Sequence, residues 1–162
     1  MPENETAKKE RRWKKVQDHL GFTDEELAIY RSFPKNVKAM EESPAFGTHK
    51  MIIEVIDSHN CAAGHSVGDT FTVDAEGCLA LDECPSRLCV SAIWAIKPLV
   101  DRMWEAFYHG GADVLHDTVQ CPDVGVHKGG AGQITLRIRS APGNDRKSQR
   151  AKKENQHDSG KI

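Results

Sequence analysis

The sequence predicts an α+β fold, in which a small, mostly antiparallel sheet packs on one central helix, with an N-terminal helical extension. Residues Gln133–Arg139 alternate apolar and polar side chains, and residues Met51–Ile56 are rich in β-branched side chains, so both read as strands. Between them, apolar side chains recur at helical spacing from Leu88 to Phe107. A few short strands with one long amphipathic helix are typical of the α+β class.

Composition divides the chain into four parts. The first ten residues and residues 141–162 lack the apolar side chains that would offset the entropy of ordering, so we expect both to be disordered. Residues 11–45 are expected to form the helical extension, and residues 50–140 the α+β core domain. A chain of 162 residues and 18.0 kDa has room for one domain of ordinary size.

The extension carries start and stop signals for short helices. Residues 11–20 can form a first helix, which Gly21 would end. Thr23 and Glu26 are spaced as a capping box, so a second helix should begin there and stop before Pro34. Because this module is amphipathic but small, it must pack on the core, on a second copy or on a partner subunit.

The core domain continues with further elements in order. Thr70–Val73 predicts a second short strand, and Pro85 suits the first turn of the central helix. Pro98 should kink or divide that helix, Gly110-Gly111 should stop it, and residues 114–120 can form another strand. The side chains of the last strand that should face the core are Ile134, Leu136 and Ile138.

Charge and hydropathy limit the classes of partner. Residues 51–140 hold six Lys or Arg and twelve Asp or Glu, whereas residues 141–162 hold six and three. Nucleic-acid binders place basic side chains on their folded face, so we expect no nucleic-acid partner. No apolar run approaches the roughly 20 residues that span a bilayer, and the N-terminus lacks the apolar centre of a signal peptide. We therefore expect no membrane partner and a cytoplasmic location.

The cysteines and histidines supply the candidate site. Five cysteines, an odd number in an expected cytosolic setting, argue against a disulfide framework. Cys61 and His65 are spaced as two ligands on one turn, Cys89 falls in the first turn of the central helix, and Cys121 follows a predicted strand. If the strand ends and the helix start converge, Cys61, His65, Cys89 and Cys121 form a Cys3His site for zinc, or alternatively iron.

Simpler interpretations stand beside this metal site. Free cysteines are often buried as small hydrophobic side chains, and no CxxC pair is present. The imidazole of His65 can satisfy a backbone carbonyl in a turn. Asp69 can cap the same turn, or it can orient His65 as a carboxylate behind a metal ligand. Cys78 and Cys84 are expected to be structural.

Catalytic motifs are sparse. The sequence has no Walker A loop, no GxGxxG after a strand, no HExxH and no GxSxG. The glycine-rich residues 125–132 precede a strand, which indicates a flexible loop rather than a phosphate cradle. Cys89 beside His65 or His116 would be arranged as a thiolate nucleophile, but nothing in the sequence sets the distance between them.

Residues of the core domain also resemble a known pattern. Glu54-Val55, the run Cys61-Ala62-Ala63-Gly64-His65-Ser66-Val67-Gly68-Asp69-Thr70-Phe71, then Leu88-Cys89 and Cys121-Pro122-Asp123 follow in order. This order resembles a family of small, functionally uncharacterised proteins, mostly from anaerobic bacteria and archaea. The resemblance covers about residues 50–140 and implies that Cys61, His65, Cys89 and Cys121 are motif positions. It implies no reaction, and it leaves the extension unexplained.

Three functions are consistent with these observations. The first is an accessory or small subunit of a larger bacterial catabolic or redox enzyme in anaerobic metabolism. In this role the Cys/His site would be a structural metal or thiol site. The second is a small metal- or cysteine-dependent enzyme that acts on a small organic molecule. The third is a homodimeric binding module in which residues 11–45 exchange between copies.

Overall fold

The computed structural model describes residues 4–43 and 45–143. Within these ranges the chain forms four α-helices and a four-stranded antiparallel sheet, which confirms the predicted α+β class with its N-terminal helices. The elements are α1 (Glu5–Leu20), α2 (Asp24–Arg31), α3 (Pro34–Glu41), β1 (His49–His59), β2 (Thr70–Val73), α4 (Val90–Tyr108), β3 (Thr118–Gln120) and β4 (Gln133–Pro142).

The first helix begins earlier than the sequence predicts. Asn4 caps it by accepting the Thr6 N–H at 3.2 Å, and Lys9 forms an ion pair with Glu41 of α3 at 2.7 Å. The predicted disorder therefore does not hold for residues 5–10, because these polar side chains gain partners that composition alone does not reveal. Ala141 and Pro142, which the sequence assigns to the disordered tail, belong instead to β4 because they pair with β1. Residues 1–3 and 144–162 lie outside the described residues.

The second helix begins as predicted. The Thr23 hydroxyl accepts the Glu26 N–H at 3.2 Å, and the Glu26 carboxylate accepts the Thr23 N–H at 2.8 Å. Both bonds of the capping box are therefore present. The helix ends at Arg31, before Pro34, as expected.

The sheet has the strand order β2-β1-β4-β3, so the long strands β1 and β4 form its centre. The predicted short strand Thr70–Val73 is confirmed as β2, and the third predicted strand is shorter than expected, since β3 begins only at Thr118. The register between β1 and β4 shifts between Val55 and Asp57, which marks a β-bulge. After this bulge, Ser58 lies opposite the buried Ile134 and therefore faces the core.

One face of the sheet and one side of α4 form the core. Ile134, Leu136 and Ile138 are buried, as predicted, beside the buried side chains of β1 and β2. The helix contributes a buried stripe with the spacing expected of an amphipathic helix. Its members are Ala92, Ala95, Ile96, Leu99, Val100, Met103 and Phe107.

The central helix differs from its prediction in two respects. It begins at Val90, with Cys89 as the N-cap residue, so Pro85 lies outside it. The segment before it is instead anchored to the sheet, through an ion pair of Lys50 with Glu83 and a Cys84 hydrogen bond to the Thr72 carbonyl. The helix is also not divided at Pro98, which it contains. No helix among residues 4–43 and 45–143 has the length and apolar character needed to cross a bilayer.

Candidate functional site

The predicted site residues fall at one end of the fold. Cys61 lies two residues beyond the end of β1, Cys121 lies immediately beyond β3, and Cys89 caps the start of α4. At the other end of α4, the Phe107 ring lies 5.9 Å from the ring of His49, at the start of β1. The helix therefore runs from the region where β1 ends back to the region where β1 begins, and Cys89 lies on the side of Cys61 and Cys121.

The three cysteines at this end are in contact with the core. Cys61, Cys89 and Cys121 are each partly buried and pack against the hydrophobic cluster. This packing agrees with the simpler interpretation of cysteine as a small hydrophobic side chain. Each of the three residues is also partly exposed to solvent.

Cys121 has a specific partner in addition to its packing. Its N–H donates to the Ile134 carbonyl at 3.0 Å, and the Ile134 N–H donates back to its sulfur at 3.4 Å. The first of these bonds extends the β3–β4 ladder by one residue, and the second uses the sulfur in place of a backbone carbonyl. A backbone N–H directed at a sulfur is the kind of hydrogen bond that metal-bound thiolates receive.

His65 is the most buried member of the set, with 4% of its surface exposed. The Ser58 hydroxyl donates to its carbonyl at 2.7 Å, which ties the turn to the end of β1 beyond the bulge. Its ring lies edge-on to Phe71, with ring centroids 5.2 Å apart and planes inclined at 68°. Backbone and ring are therefore both held in place.

The two ring nitrogens of His65 differ in their surroundings. Nδ1 lies 3.8 Å from Oδ2 of Asp69, whereas Nε2 is buried and has no hydrogen-bond partner among the described residues. Neither of these contacts joins the imidazole to a backbone carbonyl, which the simpler interpretation of His65 would require. Most buried side-chain polar atoms have a partner, so this orphaned nitrogen requires an explanation.

Asp69 does cap the turn, as the first of its two predicted roles requires. Its Oδ2 accepts the Ser66 N–H at 3.0 Å, and its own N–H donates to the Ser66 carbonyl at the same distance. Its carbonyl accepts the Val55 N–H at 2.8 Å, so its backbone is fixed to β1. The same carboxylate faces Nδ1 of His65, which is the second predicted position.

The remaining two cysteines lie elsewhere in the fold. Cys84 donates a hydrogen bond from its sulfur to the Thr72 carbonyl at 3.7 Å, and burial raises the pKa of its thiol above the ordinary value of 9.0. Cys84 is therefore a protonated, structural thiol at neutral pH. Cys78 is exposed in the turn after β2.

The predicted ligands do not form a preassembled set. Among residues 4–43 and 45–143, no group of three or more His, Cys, Asp or Glu side chains is placed to hold a metal ion. The fold brings Cys61, His65, Cys89 and Cys121 to one end of the sheet but does not close them into a coordination sphere. The residue types nevertheless suit zinc, which binds imidazole nitrogen and thiolate sulfur.

Two features of the site could not be read from the sequence. The hydrogen bond from Ser58 to the His65 carbonyl depends on the bulge, which turns Ser58 toward the core. The contact of Phe71 with the His65 ring depends on the pairing of β2 with β1. The apolar alternation of Met51, Ile53 and Val55 does stop at the bulge, which is the one signal for it in the sequence.

An open groove of about 530 Å³ lies apart from this site, between the helical extension and the end of α4. The two cationic side chains that line the groove, Arg31 and Lys38, already have partners. Arg31 binds Glu10 through both of its terminal nitrogens, and Lys38 lies 4.3 Å from the centre of the Tyr108 ring. The groove therefore offers no free charge from these two residues.

Known proteins add no assignment to this geometry. Comparison of the chain with protein families, curated proteins and solved structures finds no match in any of the three.

Proposed function

We propose that this chain is a cytoplasmic accessory subunit of a larger catabolic or redox enzyme, and that it holds a metal ion through His65, Cys61, Cys89 and Cys121. The observation that carries the proposal is the buried, unpartnered Nε2 of His65. The resemblance of residues 50–140 to a family of small proteins with the same four motif positions supports this choice of ligands.

An orphaned imidazole nitrogen favours a ligand for an energetic reason. A buried polar atom without a hydrogen bond costs about 1–3 kcal/mol, which a bound metal ion would recover. Metal ions bind the neutral imidazole, through the lone pair on one of its nitrogens. With three thiolates as the other donors, zinc is the expected metal and iron the alternative. Zinc in such a set supplies a structural cross-link, here between the loop after β1, the start of α4 and the end of β3.

The proposed partner subunit is supported by exposed apolar side chains. Val90 and Trp94 lie one turn apart on α4 and are 84% and 65% exposed. In the extension, Ile29 of α2 and Phe33 at the N-cap of α3 are about half exposed, and only Trp13 of the three short helices is buried. Large exposed apolar side chains that share one turn of a helix, as Val90 and Trp94 do, support a partner surface there.

Elemental analysis of protein purified without a histidine tag tests the metal site. We expect about one zinc or iron per chain in the unmodified protein, and loss of this metal in Cys61→Ser, Cys121→Ser and His65→Asn. Cys78→Ser is the matched control, because Cys78 lies outside the site, and it should retain the metal. A folded protein that never carries metal would refute this part of the proposal.

Purification from the native host tests the accessory role. The chain should elute in gel filtration with a larger companion protein, and Trp94→Glu should weaken that association. A lone monomer without a companion band counts against an accessory subunit, whatever the metal content.

A second candidate is a small enzyme that uses a cysteine thiolate or a metal-bound water on a small organic molecule. The N–H bond from Ile134 to the Cys121 sulfur favours this candidate, because it orients a potential nucleophile at the end of β3. Full turnover of a substrate by the double variant Cys89→Ala/Cys121→Ala would eliminate it.

A third candidate is a homodimeric binding module in which residues 11–45 exchange between copies. The half-exposed Ile29 and Phe33 of the extension favour it. Removal of residues 1–45 should then convert dimers to monomers, and an unchanged dimer would exclude the exchange.

A further inference from the structure

We infer that Asp69 is a positioning residue that holds the neutral His65 ring with its proton on Nδ1, so that the Nε2 lone pair faces the interior. The inference rests on the proposed function for the use of that lone pair, but it describes a property of the metal-free chain.

The position of Asp69 does not depend on His65. Its carbonyl binds the Val55 N–H, its N–H binds the Ser66 carbonyl, and its carboxylate accepts the Ser66 N–H. These bonds join the residue to β1 and to the turn that contains His65. The carboxylate is therefore already in place 3.8 Å from Nδ1, without any contribution from the ring.

The ring has little freedom to choose another orientation. Its backbone is tied to β1 by the Ser58 hydroxyl, and its edge-on contact with Phe71 occupies the space beside it. A ring flip would bring a carbon toward the Asp69 carboxylate and would lose the attraction between that carboxylate and an N–H. The packing therefore fixes the plane of the ring, and the Asp69 carboxylate favours the orientation in which Nδ1 faces it.

The carboxylate then decides the tautomer. A neutral imidazole carries one N–H and one lone pair. An N–H on Nδ1 is attracted to the negative oxygen 3.8 Å away, whereas a lone pair there is repelled by it. The other nitrogen, Nε2, is consequently the bare one, and it has no donor among the described residues. Metal-ligating histidines commonly have a carboxylate on this side of the ring, and the 3.8 Å separation here is an electrostatic contact rather than a hydrogen bond.

Nitrogen-15 NMR on the full-length, metal-free protein tests the tautomer directly. Long-range proton–nitrogen correlations of the His65 ring should show a protonated Nδ1 and a bare Nε2 in the unmodified chain. In Asp69→Asn, the amide can still accept the Ser66 N–H but carries no charge, so the Nε2-protonated form should appear. Asp57→Asn is the matched control, because Asp57 is exposed on the face of β1 opposite to that of Ser58. This variant should leave the tautomer of the His65 ring unchanged.

Zinc titration against a chromogenic chelator provides the second measurement. Asp69→Asn should bind zinc about 10- to 100-fold more weakly than the unmodified chain, and Asp57→Asn should bind it equally well. If Asp69→Asn does not fold, Asp69→Ser replaces it, because a serine hydroxyl can also cap the turn. A protonated Nε2 in the unmodified chain, or an unchanged tautomer in the folded Asp69 variant, overturns the inference.

The two measurements separate this inference from the proposed function. A chain that binds no zinc but shows the Nδ1-protonated ring and its loss in the Asp69 variant refutes the metal site and supports the role of Asp69. If the unmodified chain and Asp69→Asn bind zinc with equal affinity, the metal site is supported and the role of Asp69 is overturned.

Discussion

The indole Nε1 of Trp13 donates a hydrogen bond to the Glu41 carboxylate across 3.2 Å, which joins the first helix to the third. The same indole meets the Tyr30 ring edge-on, with centroids 6.3 Å apart, and the Arg31 guanidinium lies 4.9 Å from its centre. Lys9 pairs with the other oxygen of Glu41. The three short helices are thus arranged around one buried side chain.

Replacing that side chain should release the extension. We expect Trp13→Ala to cost about 3–5 kcal/mol, the range for truncating a buried aromatic side chain. Amide hydrogen exchange should quicken in α1–α3 and remain slow in β1 and β4, because the main core is separate. Trp94→Ala is the control, and its exposed indole should change stability by no more than about 0.5 kcal/mol. Equal exchange in both variants would show that Trp13 does not organise the extension.

Acid should loosen the same helices. The hydrogen bond from Lys9, and then that from Trp13, lowers the pKa of Glu41 below its ordinary value of 4.5, and the hydrogen bond from Arg31 lowers the pKa of Glu10. A carboxyl with a lowered pKa stabilises the folded state above its unfolded pKa, and this contribution disappears as the pH falls through the folded pKa. The helical circular dichroism signal should therefore fall below pH 4.5. Glu41→Gln should weaken this dependence, and an identical pH profile in that variant would contradict the assignment.

The two structural cysteines should differ in reactivity. Burial raises the pKa of Cys84, and the thiolate is the reactive form, so iodoacetamide should modify Cys84 more slowly than the exposed Cys78 at pH 8. The rate at Cys84 should keep rising beyond pH 9.0, where an ordinary thiol begins to level off. Peptide mass spectrometry measures both rates. In denaturant the rates should converge, and faster modification of Cys84 in the folded chain would count against its burial.

A glycine next to the last strand should resist substitution. A Cβ at Gly132 would overlap the carbonyl of Asn60, which is rigid backbone. We expect Gly132→Ala to cost about 1–3 kcal/mol, as for other forced insertions into packed structure. Gly111→Ala is the control, since its Cβ would meet the Ala106 carbonyl at an ordinary 3.5 Å. Urea denaturation compares them, and equal midpoints would refute the predicted overlap.

Features set by local sequence were predictable. The strand Thr70–Val73, the capping box of Thr23 and Glu26, and the inward side chains of β4 all follow from patterns within a few residues. The start of α4 differs from its prediction because Pro85 is compatible with a first turn, while contacts of its segment with β1 and β2 hold it outside the helix. Residues 5–10 are helical although their composition predicts disorder, because their partners lie in other helices.

The candidate site was predictable only in part. Motif order indicates which residues belong to it, and the fold places Cys61, Cys89 and Cys121 at one end of the sheet, where they pack on the core. The burial of His65 and the unequal surroundings of its nitrogens depend on Phe71 and Ser58, which reach it through strand pairing. Such contacts depend on register, which no short motif encodes.

The extra residue in β1 decides which side of the sheet the end of that strand presents. If Ile56 paired in a regular ladder, Asp57 would lie opposite the buried Ile134, and every residue after Ile56 would exchange sides of the sheet. The carboxylate of Asp57 would then point among aliphatic side chains, and the hydroxyl that secures His65 would point to water. Deletion of Ile56 would instead preserve the pairing of Ser58 with Ile134, so the histidine's anchor tolerates the loss of this residue but not its incorporation into the ladder.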